Sequence, residues 1–167
     1  MRWLAAVLLL LMSSVLGTTL AAQVPPRELR PDLFFVFAVI AAATVPSERA
    51  LVWVWAAGLA KDIFSVGPVG LHALLFLGAG LVVLRVRSYA YIEAPLAMFL
   101  LTGALAGGCE FIYATALFVQ QPQVVLGSAL ARTLLQAFAT GLMAALVWRL
   151  AEKRLRHLGW RGRVRLR

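Results

Sequence analysis

The sequence predicts an all-α polytopic membrane protein, a bundle of six transmembrane helices. Hydrophobic residues make up 62% of the 167 residues and charged residues only 14%, whereas a soluble domain carries roughly 25% charged residues. The mean hydropathy is +0.88. Apolar stretches approaching the roughly 20 residues of a membrane-spanning helix recur along the chain. We therefore expect a single six-helix transmembrane domain at 1–150 and a basic cytoplasmic tail at 151–167.

Six candidate spans follow one another, separated by turn-forming sequences such as VPSER, SVGPVG and QQPQ. They are Trp3–Ala22, Leu33–Val45, Ala50–Phe64, Val69–Leu84, Ile92–Val119 and Val124–Leu150. The second, third and fourth are short, so we expect them to tilt, thin the bilayer or lie inside the bundle. The first also fits a secretory signal peptide, but its apolar stretch exceeds the usual length of about 7–15 residues, which favours a retained span.

The distribution of Lys and Arg predicts that both termini are cytoplasmic. With six spans, most basic residues fall on the side of the termini, and few fall in the opposite loops. Such a bias orients membrane proteins with the basic side inward. Most Trp and Tyr residues also lie near the predicted inner interface, where amphipathic rings prefer to sit. The expected location is the bacterial inner membrane.

The stretch KDIFSVGPVGLH forms the predicted outer turn between the third and fourth spans. Gly67 and Pro68 supply the turn, because Gly accepts positive φ and Pro fixes the start of the next helix. Asp62 and His72 flank Gly67 symmetrically and should face each other, while Gly70 permits close backbone approach. Asp62 either caps or pairs locally, with Lys61 or His72, to hold the hairpin, or serves a proton-linked or ligand-binding role. Two ligands are too few for a metal site.

A second symmetric pair lies in the last two spans. Glu110 and Arg132 are equally distant from the turn at Gln121, which places both at a depth of about 16 Å. Isolated charges at that depth are costly. We therefore predict a buried Glu110–Arg132 ion pair, extended by Gln136, that either clamps the two helices or belongs to a polar site.

Small residues at four-residue spacing predict close helix packing in the same two spans, because they let helix backbones approach in lipid. Those that we expect at the contact are Gly103, Gly107, Ala137, Gly141 and Ala145.

The basic tail is the strongest electrostatic feature of the chain. Its cationic residues are Lys153, Arg154, Arg156, Arg161, Arg163, Arg165 and Arg167. Each is worth about 1 kcal/mol against an anionic leaflet. We expect the tail to bind anionic lipids or an acidic partner at the membrane surface. The tail is too short to build a nucleic-acid-binding fold, and no nucleic acid is expected as a partner.

The chain resembles the MreD family of rod shape-determining membrane proteins. The matching features are Arg30-Pro31-Asp32 before the second span, Pro46 after it, and the small-residue stretch that ends at Gly58 and Asp62. Further matches are Gly70 and Ala73 after the turn, and CEFIYATALF and LARTLLQAF around Glu110 and Arg132. Many members have Gly four residues after the Asp, where this chain has Val66 followed by Gly67.

This resemblance implies a non-enzymatic scaffold of the bacterial cell-elongation complex that makes peptidoglycan. Its implied partners are an MreC-like bitopic membrane protein, an MreB-like filament, a RodA-type glycosyltransferase and a class B penicillin-binding protein. The implied bundle is similar to the substrate-binding subunits of energy-coupling-factor transporters. A vitamin-type transport subunit is therefore the alternative, although the first span lacks the Ala-x-x-x-Ala element common in those subunits. No catalytic or cofactor-binding residues are predicted, and no cofactor.

Overall fold

The computed structural model describes residues 30–65, 68–89, 94–120 and 126–157. The regular structure in these ranges is entirely α-helical. The five helices are α1 (Leu33–Thr44), α2 (Ser47–Phe64), α3 (Leu71–Tyr89), α4 (Pro95–Gln120) and α5 (Leu126–His157). Helices α1, α2 and α3 pack together as one group, and α4 and α5 form an antiparallel pair against it.

Helix α1 is short, and polar side chains stabilise both of its ends. Asp32 is its N-cap, and the carboxylate accepts the backbone N–H of Phe35 at 3.1 Å. The helix stops before Pro46, which disfavours a helical conformation in the preceding Val45. Arg87 of α3 donates from Nη1 to the carbonyl oxygens of Ala42 and Val45, both at 2.7 Å. These bonds satisfy carbonyls that have no partner within the helix.

Helices α2 and α3 form a hairpin whose backbones approach at Gly58. A Cβ atom on Gly58 would lie 2.5 Å from the Cα of Ala73, closer than real Cβ contacts. Gly70, just before α3, has φ +99°, a conformation that L side chains rarely adopt. No heavy atom lies within 4 Å of a Cβ placed on Gly70. The expectation that Gly70 permits close backbone approach is therefore wrong; Gly58 does that, and Gly70 supplies the turn conformation.

The predicted small-residue contact joins α4 and α5. A Cβ on Gly141 would lie 2.7 Å from the carbonyl oxygen of Phe99 and 3.2 Å from the Cα of Gly103. A Cβ on Gly107 would lie 3.3 Å from the Cβ of Ala137. The packing predicted for these four small residues is confirmed, while Ala145 is only partly buried.

Aromatic and aliphatic side chains from four helices fill the core. The rings of Phe35 and Phe76 meet edge to face at 4.9 Å between centroids. Around them lie the buried side chains of Val39, Val54, Val83 and Met98. The core thus joins α1, α2 and α3 to one face of α4.

The described residues contain three helices that are long and apolar enough to cross a membrane: Leu71–Tyr89, Pro95–Val119 and Leu130–Ala151. Leu33–Thr44 is apolar but short. The all-helical membrane fold is confirmed to this extent. The predicted first span, Trp3–Ala22, lies outside the described residues, so the six-helix count stays a prediction. Helix α5 continues past the predicted boundary at Leu150 to His157.

The substitution Gly58→Ala should lower the free energy of unfolding by about 1–3 kcal/mol, because the new methyl group would push α2 and α3 apart. Its control is Gly78→Ala on α3, where no heavy atom lies within 4 Å of an added Cβ. There the higher helix propensity of Ala should leave stability unchanged or raise it by up to about 1 kcal/mol. Denaturation in mixed detergent micelles, followed by tryptophan fluorescence, measures both. Equal effects of the two substitutions would contradict the close approach at Gly58.

Candidate functional site

A buried lysine joins three helices. Lys61, near the end of α2, places its Nζ 2.7 Å from Oδ2 of Asp32 and also forms an ion pair with Oε1 of Glu110 on α4. The three side chains are between 7% and 18% exposed. The ammonium group also lies 5.5 Å from the centroid of the Phe76 ring, which attracts a cation electrostatically. We call Asp32, Lys61 and Glu110 the Lys61 triad.

The Asp32 end of this triad also reaches α5. The backbone N–H of Asp32 donates to Oγ1 of Thr140 at 3.0 Å. That hydroxyl is fully buried and donates in turn to the carbonyl of Gln136 at 2.7 Å. The N-terminus of α1 is therefore bonded to α2 through Lys61 and to α5 through Thr140, and Lys61 in turn binds Glu110 on α4.

A second carboxylate stabilises the N-terminus of α3 from the neighbouring helix. Asp62 accepts the backbone N–H groups of Gly70 at 2.9 Å, His72 at 3.0 Å and Ala73 at 3.1 Å. These are N–H groups at a helix start, which lack partners within the helix. The negative charge also opposes the positive end of the α3 dipole. We call Asp62 with these three residues the Asp62 cap.

The imidazole of His72 completes the Asp62 cap. Its Nδ1 lies 2.8 Å from Oδ1 of Asp62, and both side chains are almost fully buried. The ring lies 4.2 Å from that of Tyr113 on α4, between centroids, and meets Phe76 edge to face at 6.3 Å. Sγ of Cys109 donates to the carbonyl of Leu75 at 3.6 Å. The hairpin is thereby held against α4.

The Lys61 triad lies near the middle of the two longest helices. From Glu110 to the end of α4 at Gln120 the helix rises about 15 Å, and from the start of α5 at Leu126 to Thr140 it rises about 21 Å. A bilayer has a hydrocarbon core of about 30 Å. The charges therefore sit at a depth where each needs a partner from within the protein.

The structure confirms the predicted contact between Asp62 and His72 and extends it with three backbone bonds. Pro68 lies in the turn, where its carbonyl accepts the N–H of Leu71 at 3.3 Å. Gly67 lies outside the described residues. Because the carboxylate of Asp62 is already bonded by four donors, the geometry favours the role of holding the hairpin over the proton-linked or ligand-binding alternative.

Glu110 has a partner that the sequence analysis missed. Its carboxylate is paired with Lys61, whereas Arg132 lies exposed on α5. The expectation that Arg132 is buried is wrong, and a direct Glu110–Arg132 contact stays a prediction. The sequence places Lys61 in the predicted outer turn and Asp32 just before the second span, and neither position predicts an ion pair with Glu110.

Helical periodicity indicates that Lys61 needs a partner different from that of Asp62. Neighbouring residues on a helix point about 100° apart. Lys61 therefore cannot share the direction of Asp62 toward α3, and a buried ammonium group needs a carboxylate elsewhere. Glu110 is the only acidic residue in α4, and Asp32 precedes α1. The roles of Thr140 and Tyr113 have no comparable signal in the sequence.

The basic tail lies only partly within the described residues. Helix α5 includes Lys153, Arg154 and Arg156 in its backbone. The remaining arginines of the predicted tail, Arg161, Arg163, Arg165 and Arg167, lie outside the described ranges. Binding of the tail to anionic lipids stays a prediction.

Comparison with known proteins identifies one family. A family model described as rod shape-determining protein MreD matches residues 1–154, nearly the whole chain. No curated protein and no solved structure matches the chain. The expected similarity to transporter subunits therefore stays a prediction.

The substitution Lys61→Met should cost about 3–5 kcal/mol of stability, because it leaves two buried carboxylates without their cation. The triple substitution Lys61→Met, Asp32→Asn, Glu110→Gln should recover part of this loss, since no net charge stays behind. Unfolding in detergent micelles measures both variants. A triple variant no more stable than Lys61→Met would count against the Lys61 triad.

The same measurement distinguishes the two possible partners of Glu110. Double-mutant cycles that combine Glu110→Gln with Lys61→Met or with Arg132→Met give a coupling energy for each pair. The structure predicts the larger coupling for Lys61.

The substitution Asp62→Asn should destabilise the protein by about 2–3 kcal/mol, because an amide presents one acceptor oxygen to four donors that now share a carboxylate. Glu48→Gln is the matched control, since Glu48 lies in the exposed first turn of α2. It should change stability by less than about 0.5 kcal/mol. Thermal unfolding of the purified variants compares them. An Asp62→Asn variant as stable as Glu48→Gln would overturn the Asp62 cap.

Proposed function

This chain belongs to the MreD family of rod shape-determining proteins, and from that membership we propose that it is a non-enzymatic scaffold of the cell-elongation complex. The family match over residues 1–154 carries the proposal. In this function the chain binds an MreC-like bitopic membrane protein. It thereby links an MreB-like filament to a RodA-type glycosyltransferase and a class B penicillin-binding protein.

The geometry of the buried charges supports a scaffold more than a ligand-binding subunit. Helix N-termini inside a membrane are natural sites for anionic ligands. Here the N-termini of α1 and α3 are occupied by the carboxylates of Asp32 and Asp62 from the same chain. The ammonium group of Lys61 is likewise paired with two carboxylates. These charged groups are paired within the protein, where they hold helices together.

Exposed apolar faces supply surfaces for membrane-embedded partners. Five large apolar side chains of α4 are exposed: Leu96, Leu100, Phe111, Ile112 and Val119. Such side chains face lipid or a transmembrane helix. We propose that partner helices bind on faces of this kind, leaving the Lys61 triad and the Asp62 cap undisturbed.

The distribution of charge supports an orientation with both termini in the cytoplasm. Arg49 at the start of α2, Arg85 and Arg87 at the end of α3, and Arg149 near the end of α5 lie at the same end of the bundle. A basic end faces inward in most membrane proteins. With Trp3–Ala22 as a further span, the protein is a six-helix component of the bacterial inner membrane whose basic tail binds anionic lipids.

Depletion of the protein from its own cells should convert rods into wider, rounded cells, because lateral wall synthesis would lose its membrane scaffold. Fluorescence microscopy with cell-wall labelling measures cell width and the pattern of synthesis. Expression of the wild-type chain or of Gly78→Ala should restore rods. Expression of Lys61→Met should not, since that variant is strongly destabilised.

Purification of the protein from its own membranes in mild detergent identifies the partners by mass spectrometry. Recovery of an MreC-like protein with peptidoglycan synthases is the expected result. Unchanged rod shape after depletion, or recovery of ATPases with a coupling transmembrane subunit, would contradict the scaffold and favour the transport subunit.

A further inference from the structure

One side of α5 exposes large apolar side chains along most of its length. Five of them are 43% to 64% exposed and recur at spacings of three or four residues: Leu135, Phe138, Leu142, Leu146 and Leu150. Side chains at this spacing lie on the same side of a helix. On the opposite side, Ala137 and Ala144 are buried. We call the exposed side the α5 outer face.

The α5 outer face has nearly the length of a membrane interior. It is flanked by the exposed side chains of Arg132 and Arg149. From Arg132 to Arg149 the helix rises about 26 Å, and the hydrocarbon core of a bilayer is about 30 Å thick. Because the large side chains between these two arginines are apolar, whatever covers this face is itself apolar: lipid, a partner helix or another segment of this chain.

A groove follows the inner half of the α5 outer face. All of its described lining residues belong to α5; they are Met143, Leu146, Val147, Arg149 and Leu150. The surface of a helix is that of a cylinder, so a groove along one helix needs a second wall from a neighbouring segment. None of the other described helices supplies a residue to this groove. The candidates for the second wall are therefore the segments outside the described ranges.

Only one of these segments is both long and apolar. Two of them are longer than five residues, namely 1–29 and 158–167. The second has four arginines among its ten residues, and burying unpaired charges against apolar side chains is costly. The first contains Trp3–Ala22, a stretch of 20 residues without a charge. The apolar lining of the groove therefore favours Trp3–Ala22.

The start of the described chain brings this segment close to α5. The backbone N–H of Asp32 donates to Oγ1 of Thr140 at 3.0 Å, which holds the chain against α5 about one turn from the groove. Nine residues separate Ala22 from Asp32, and nine extended residues reach about 30 Å. In a helix antiparallel to α5, with Trp3 level with Leu150, Trp3–Ala22 rises about 29 Å. Ala22 then lies about 14 Å beyond the level of Thr140, well within that reach.

We propose that Trp3–Ala22 forms a membrane helix that packs antiparallel to α5 on the α5 outer face and supplies the second wall of the groove. The segment matches the face in its length and in its lack of charge. Lipid or a second copy of the chain would also be apolar, but neither is tied to α5 by the bond between Asp32 and Thr140. The inference rests on contacts within one chain and not on the proposed partners. The exposed face of α4 stays available to those partners.

Cysteine pairs test this contact in the full-length chain in its own membranes. In a Cys109→Ala background, Leu146→Cys is combined in turn with four consecutive positions that cover a full helical turn at its level: Ala5→Cys, Ala6→Cys, Val7→Cys and Leu8→Cys. Because a disulfide needs Cα atoms within about 7 Å of each other, oxidation with copper phenanthroline should form an intrachain disulfide in at least one of the four pairs.

The matched control is Leu81→Cys on the exposed side of α3. Leu81 is 52% exposed and lies one turn from Arg85, much as Leu146 lies one turn from Arg149. Its pairs with the same four cysteines should form disulfides at least about tenfold more slowly, because their Cα atoms lie beyond the bonding distance. Loss of both thiols without formation of a dimer identifies the intrachain bond. Maleimide labelling and non-reducing electrophoresis measure the two quantities.

Four results would overturn the proposal. Equal rates for the pairs of Leu81→Cys and Leu146→Cys would show that the contact is not specific. Absence of a disulfide in all four pairs with Leu146→Cys would leave lipid as the cover, and a disulfide-linked dimer would mean that a second copy covers the face. An intact mass that begins after Ala22 would identify the segment as a cleaved signal peptide. None of these results depends on cell shape, so they are separable from a failure of the scaffold function.

Discussion

The structure depends on two buried carboxylates that bond the starts of helices. A helix that starts in hydrocarbon exposes N–H groups that water cannot reach, and each unsatisfied group costs several kcal/mol. At the starts of α1 and α3, a carboxylate within the bundle accepts such N–H groups. Asp32 stabilises its own helix, whereas Asp62 stabilises a helix that follows it by a tight turn. Two adjacent residues of α2 contact these helix starts. Lys61 binds Asp32 at the start of α1, and Asp62 binds the start of α3.

Lys61 and Asp62 contact different helices because their side chains point in different directions. Asp62 faces α3 and closes the hairpin at the level where Gly58 lets the two backbones touch. Lys61 faces away from that contact and brings Asp32 and Glu110 together. Glu110 is the one acidic residue of α4, so this ion pair connects the α1–α3 group to the α4–α5 pair. Thr140 and Tyr113 add contacts between the same two groups.

The sequence predicted the parts of this arrangement that depend on distance along one hairpin. Asp62 and His72 flank a Gly-Pro turn at equal separation, and the small residues of α4 and α5 repeat every four positions, so both contacts follow from helix geometry. The sequence analysis missed the partner of Glu110. Equal distance from the turn predicts how deep two residues lie in the membrane, but it does not predict the direction in which each side chain points around its helix. Arg132 and Lys61 both satisfied the requirement for a cation. Tertiary packing of α2 against α4 decided between them, and no pattern within a single helix pair contains that information.

The buried charges of the Lys61 triad and the Asp62 cap limit the positions at which the protein tolerates substitution. Removal of Lys61 leaves two carboxylates without their cation at mid-membrane, and loss of Asp62 frees three backbone donors at once. Exposed residues such as Leu96 and Leu100 belong neither to the Lys61 triad nor to the Asp62 cap. Lipid and another helix are equally apolar surroundings for them. We therefore propose that partners are recognised on the exposed faces and at the helix ends. For the proposed scaffold, we expect stability and partner choice to depend on different sets of residues, so that a substitution on an outer face alters assembly while the bundle stays folded.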